Sequence, residues 1–133
     1  MEFEVHGRGV KRKFLAHILP SMITQLGLNS SKKVVVVSME SDCAQLGLTV
    51  DMAGIGYMIV LKSSQSIKGL GLSLAHEMVH VRQMAKGIMK DTGNGTKIWA
   101  GKEYSKDTLY LDQPWELDAF ARQEIILRRA VEE

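Results

Sequence analysis

Apolar residues at Val10, Phe14, Leu15, Ile18, Leu19, Met22, Ile23 and Leu26 recur every three or four positions, which predicts a helix over Val10–Leu28 that closes at Gly27. Pro20 falls inside this stripe and removes a backbone donor, so a kink or a fresh helical start is expected there. After the loop Asn29-Ser30-Ser31, the segment Lys32–Met39 holds a run of valines, Val34 to Val37. It is too short for a buried helix and suits a central strand. Ser41–Gly47 reads as a short helical turn. Within Thr49–Lys62 the alternation of Tyr57, Ile59 and Leu61 predicts a strand, with Gly54 and Gly56 marking a bulge or turn before it.

The next stripe, Leu70, Leu74, Met78, Val81 and Ala85, places a helix over about Leu70–Lys86, capped at Gly87. Leu72, Ala75 and Val79 widen its apolar face, so most of its first turns should be buried. Asp91–Gly95 is turn chemistry, and Lys97-Ile98-Trp99 followed by Gly101–Tyr104 reads as a hairpin or an ordered excursion. Pro114 stands where proline favours helix initiation, and the last helix runs through Ala130. Helices and strands in this order predict an α+β domain with a small mixed or antiparallel sheet.

Composition narrows the class. The 133 residues are 45% hydrophobic and 24% charged, the balance of one ordinary globular domain spanning residues 1–133. A net charge of +2 is too weak a field to predict a nucleic-acid or membrane partner, and Lys11-Arg12-Lys13 is expected to be a solvated helix end. No apolar run approaches the ~20 residues of a membrane-spanning helix, and the first residues carry no secretory pattern, so a cytoplasmic location is expected. Cys43 stands alone, which excludes an intrachain disulfide and an all-cysteine zinc module.

The informative stretch is His76-Glu77-Met78-Val79-His80, inside the second helix. Residues four apart share one helical face, so both imidazoles can reach a single ion while Glu77 projects at another angle. Leaving two imidazoles and a carboxylate buried without partners would cost about 1–3 kcal/mol for each group. A divalent metal removes that cost. Catalytic zinc normally takes three protein ligands and keeps one position open. His6 and His17 precede the motif, and Asp91, Asp107 and Asp112 fall in predicted loops. Glu116 is better placed, at the start of the last helix, where Ala119 would allow close approach to the metal helix.

His76-Glu77-Met78-Val79-His80, followed by Pro114-Trp115-Glu116-Leu117-Asp118-Ala119, resembles the gluzincin branch of zinc metallopeptidases, and in particular the very short minigluzincin and SprT-like proteases. The resemblance implies a minimal zincin-like domain with zinc ligands His76, His80 and Glu116. It further implies peptide-bond hydrolysis by a zinc-bound water that Glu77 activates as general base. Where many gluzincins place an Asp four residues after the ligand Glu, this chain has Phe120. The partner that orients a histidine is therefore unassigned, with Asp118, Asp112 or a backbone carbonyl as candidates. The cysteine zinc ribbon that many SprT-like proteins carry for DNA-linked work is excluded by the single cysteine, so no nucleic-acid partner is expected.

Tyr104, Tyr110 or Arg82 is expected to supply the donor that stabilises the oxyanion. The substrate implied is a polypeptide, unstructured where it is cut. The strand at Tyr57–Leu61 matches in order the zincin strand whose free edge binds extended substrate, with a plain core strand as the equal alternative. The competing functional reading is a non-catalytic zincin-like module, with a structural or protein-binding role, whose metal staples two helices and whose fourth position Cys43 fills.

Overall fold

The computed structural model describes residues 1–133 as three helices and two sheets, an α+β architecture. The chain runs β1 (Glu2–His6), α1 (Gly9–Gln25), β2 (Val34–Glu40), β3 (Gly47–Asp51), β4 (Gly56–Lys62), α2 (Ile67–Ala85), β5 (Met89–Asp91), β6 (Lys97–Trp99), β7 (Lys102–Tyr104) and α3 (Pro114–Glu132). A single 3-10 turn, Tyr110–Asp112, precedes α3.

The larger sheet has the order β1-β2-β4-β3. β1, β2 and β4 are parallel, with Val35 opposite Tyr57 and Val37 opposite Ile59, whereas β3 runs antiparallel to β4 and pairs Thr49 with Ile59. Because side chains alternate across a strand, Val5, Val35, Val37, Tyr57, Ile59 and Leu61 all face one way, into the main core. The three helices cover that face. Leu15, Ile18, Leu19 and Met22 of α1, Leu70, Leu74, Met78 and Val79 of α2, and Ala119, Ile126 and Leu127 of α3 complete the cluster. On the opposite face Leu48 and Val50 remain exposed.

Close approach of α2 to α3 depends on a missing side chain. A Cβ at Gly71 would lie 2.7 Å from Leu127 Cδ1 and 3.2 Å from Phe14 Cε2. Ala119 is fully buried in the same seam. The second sheet, β5-β6-β7, is antiparallel and sits beyond the C-terminal end of α2. No helix is long and apolar enough to cross a membrane.

Several expectations are corrected. Pro20 does not divide α1, which runs unbroken from Gly9 to Gln25. The proline is solvent-exposed, so the lost hydrogen bond falls on the wet side of the helix. Ser41–Gly47 contains no helical turn. It is a loop that ends as Gly47 opens β3. β1 and β3 are strands that the periodicity does not predict. Finally, Tyr57–Leu61 has no free edge, because β4 is flanked by β2 and β3. The free edges belong to β1 and β3. Lys11 and Arg12 are more than a solvated end: Lys11 Nζ donates to the Ser63 carbonyl and Arg12 Nε to that of Val5.

Candidate metal centre

Ser66 opens α2, its hydroxyl accepting from the Gly69 amide, and the regular helix that follows sets His76 and His80 one turn apart on its buried side. Their ring centroids are 5.0 Å apart. Pro114 starts α3 and delivers Glu116 in its first turn. Glu116 Oε1 lies 2.9 Å from His76 Nε2 and 2.6 Å from His80 Nε2. One possible ligand atom from each of the three side chains falls within 4.8 Å of the others, and no other His, Cys, Asp or Glu joins the group.

The outer ring nitrogens are also held. His76 Nδ1 donates to Gln123 Oε1 at 2.8 Å, and His80 Nδ1 donates to Gln83 Oε1 at 2.8 Å. Gln83 in turn donates from Nε2 to the Trp115 carbonyl at 2.9 Å and to Asp118 Oδ2 at 3.0 Å. With hydrogens on both Nδ1 atoms, the neutral rings point two Nε2 lone pairs at one carboxylate oxygen. Three acceptors converging on a point require a shared positive charge, either protons or a metal ion. The residues therefore fit a divalent ion, bound through Nε2 of each imidazole and a Glu116 oxygen.

The titration behaviour without metal follows from the same geometry. Burial tends to lower the His76 pKa. The hydrogen bonds to Glu116 and Gln123 and the charges of Glu77 and Glu116 outweigh it, and the net shift is upward from 6.5. Burial tends to raise Glu116, but hydrogen bonds from both histidines and their charge dominate and bring it from 4.5 to about 2. In metal-free protein, Glu116 contributes stability that is present above pH 4.5 and lost as pH falls toward 2. His76 contributes stability that is present below pH 6.5 and lost as pH rises through its raised value. The melting-temperature difference between chelated wild type and Glu116→Gln should therefore be greatest between pH 4.5 and 6.5. A difference that grows steadily above pH 8 would contradict this.

Glu77 is buried beside the three and points elsewhere. Its Oε1 accepts from the Thr49 hydroxyl on β3 at 2.8 Å. Burial raises its pKa from 4.5, against the opposing effects of His80, the Thr49 hydrogen bond and His76. Gly47, on the same strand, leaves room for it: a Cβ there would sit 2.9 Å from Glu77 Cγ and 3.0 Å from Oε2.

A cavity of about 430 Å3 opens onto Glu77, His76 and Glu116. Its walls come from the loop before β3 (Gln45, Leu46), one side of α2 (Gly69, Leu72, Ser73) and α3 (Phe120, Gln123), with Tyr110 above Glu116. Burial, and then the Glu116 charge, raise the Tyr110 hydroxyl above its usual 10. Phe120, where a carboxylate might have oriented a histidine, packs edge-on against His76 with centroids 4.7 Å apart.

The structure thus brings together His76, Glu77, His80, Glu116 and Tyr110. Tyr104 stands outside the cavity wall, edge-on to Trp115 with Lys102 over its ring. Arg82 and Cys43 do not line the cavity either, and Cys43 is no part of the ligand group. His6 pairs with Glu4 on β1, and His17 is exposed on α1. Asp118 acts at one remove, through Gln83, and Asp112 is exposed. Thr49, Gly47, Gln83 and Gln123 escape the sequence reading. Only Gln83 leaves a trace there, as a polar residue one turn beyond His80 on the buried face of α2.

No protein-family model, no curated protein and no solved structure matches this chain.

Proposed function

We propose that this chain is a zinc-dependent metalloendopeptidase of the gluzincin type, a minimal zincin-like domain acting on unstructured polypeptide in the cytoplasm. The observation that carries the reading is the convergence of two Nδ1-tethered imidazoles on one Glu116 oxygen, with a buried, separately held Glu77 and a cavity opening onto them. When bound, the ion supplies Lewis acidity, polarising the scissile carbonyl and lowering the pKa of water toward ~7. Glu77, with its pKa raised by burial, takes the proton from the attacking water and returns it to the leaving amine. Tyr110, whose hydroxyl stays protonated, is the donor available to the developing oxyanion.

The cavity walls favour cleavage within a chain. Besides Glu77, Glu116 and His76 its lining is uncharged, with no lysine or arginine to grip a terminal carboxylate. β3 pairs only with β4, so its other edge offers backbone groups to an extended segment beside Glu77. The staple reading needs a fourth protein ligand to close the site, and neither Cys43 nor any other His, Cys, Asp or Glu joins the three.

The testing experiment is hydrolysis of an unfolded protein by zinc-loaded enzyme, abolished by chelation and restored by zinc; cleavage indifferent to both would refute the proposal. Gly47→Ala provides a separate check. Its new methyl group drives Glu77 away from Thr49, so kcat should fall about 10²-fold, as a misplaced catalytic group does, with zinc content unchanged. An undiminished kcat would mean that Glu77 does not need this seat.

A further inference from the structure

We propose that Gln83 is the positioning residue of this centre, fixing the tautomer of His80 and the seat of Glu116 through one buried amide; the inference rests on the metal-centre reading. Gln83 is completely buried between α2 and α3. Its amide orientation is decided by chemistry, because the Trp115 carbonyl and the Asp118 carboxylate only accept hydrogen bonds. Nε2 must therefore face them, and Oε1 must face His80 Nδ1. A hydrogen is then required on Nδ1, which leaves the Nε2 lone pair directed at the Glu116 oxygen.

The other end of the same amide grips α3 on both sides of Glu116, at the residue before it and two residues after it. Asp118 is itself fixed by Arg122 Nε at 2.7 Å. One side chain thus ties a ligand on α2 to the stretch of α3 that carries its partner ligand. A carboxylate could not replace it, since Glu at this position would face a carbonyl and Asp118 with no hydrogen to give. The sequence permits a repair: Asp118→Asn would restore a donor opposite the new carboxylate.

The test is zinc affinity by competition with a chromophoric chelator, for wild type, Gln83→Leu, Gln83→Glu and the double variant Gln83→Glu/Asp118→Asn. Gln83→Leu should bind zinc about 10–100-fold more weakly, the usual cost of losing a histidine's outer partner. Gln83→Glu keeps an acceptor for His80 Nδ1 but repels the Trp115 carbonyl and Asp118, so it too should bind zinc more weakly, and the double variant should recover toward wild type. Long-range 1H–15N correlation on the zinc-loaded wild type should find the His80 hydrogen on Nδ1. That measurement needs no variant to fold. If Gln83→Leu lowers the melting temperature yet leaves zinc affinity unchanged, Gln83 is only core packing and the inference fails while the metal centre stands. A His80 hydrogen on Nε2 overturns it equally. If wild type binds no zinc, the metal-centre reading and this inference fall together.

Discussion

Glu77→Gln should retain zinc and lose hydrolysis of an unfolded protein by about 10²–10⁴-fold, the range that a positioned general base contributes. The substitution is nearly isosteric, and its amide oxygen can still accept from Thr49, so the helix and the three ligand side chains keep their places. What disappears is the ability to take a proton. Because Glu77 is held apart from the His76–His80–Glu116 group, its loss should spare metal content. Zinc analysis and single-turnover cleavage on the same preparation separate the two effects. Full cleavage by this variant would remove Glu77 from the reaction, whereas loss of zinc would mean that it is a ligand.

His80→Ala and Glu116→Ala should each weaken zinc binding by more than the ~100-fold that loss of an outer partner can cause, because each removes a donor atom itself. The consequence extends to stability. Free zinc at a hundredfold excess over its Kd should stabilise the wild type by about 2.7 kcal/mol, and neither variant should respond at the same concentration. The zinc-induced rise in melting temperature should also grow from pH 6 to pH 8, since binding must displace the proton that His76, its pKa raised by Glu116, Gln123 and Glu77, retains and shares with Glu116. A similar melting shift in wild type and Glu116→Ala would exclude Glu116 as a ligand.

Much of this site is legible along the chain because it depends on helical spacing. His76 and His80 are four residues apart in a strong apolar stripe, and Pro114 marks the start of α3 so clearly that Glu116 can be placed in its first turn. The element pattern likewise predicts the valines of β2, the body of α2 and the hairpin that becomes β6 and β7. What is missing depends on partners distant in sequence. β1 consists of five residues whose pairing with β2 is parallel and crosses all of α1, so no local turn announces it. β3 is short and bounded by glycine, with Leu48 and Val50 exposed, and only its pairing with β4 makes it a strand. Its importance to the site, through Thr49 and Gly47, arises entirely from that pairing.

The histidine partners were hidden for a different reason. A search for a carboxylate four residues after Glu116 meets Phe120, while the groups that bond the rings are amides, Gln123 on α3 and Gln83 on α2. Neutral amides carry no motif. Their roles follow from the packing of α3 against α2, which sequence spacing does not determine.

The most direct measurement is an anomalous difference map from a zinc-loaded crystal recorded above the zinc absorption edge. It should show one peak at ~2.0–2.2 Å from His76 Nε2, His80 Nε2 and a Glu116 oxygen, with no fourth protein ligand and the remaining position facing the cavity beside Glu77. A peak elsewhere, or one enclosed by four protein ligands, would contradict the catalytic centre.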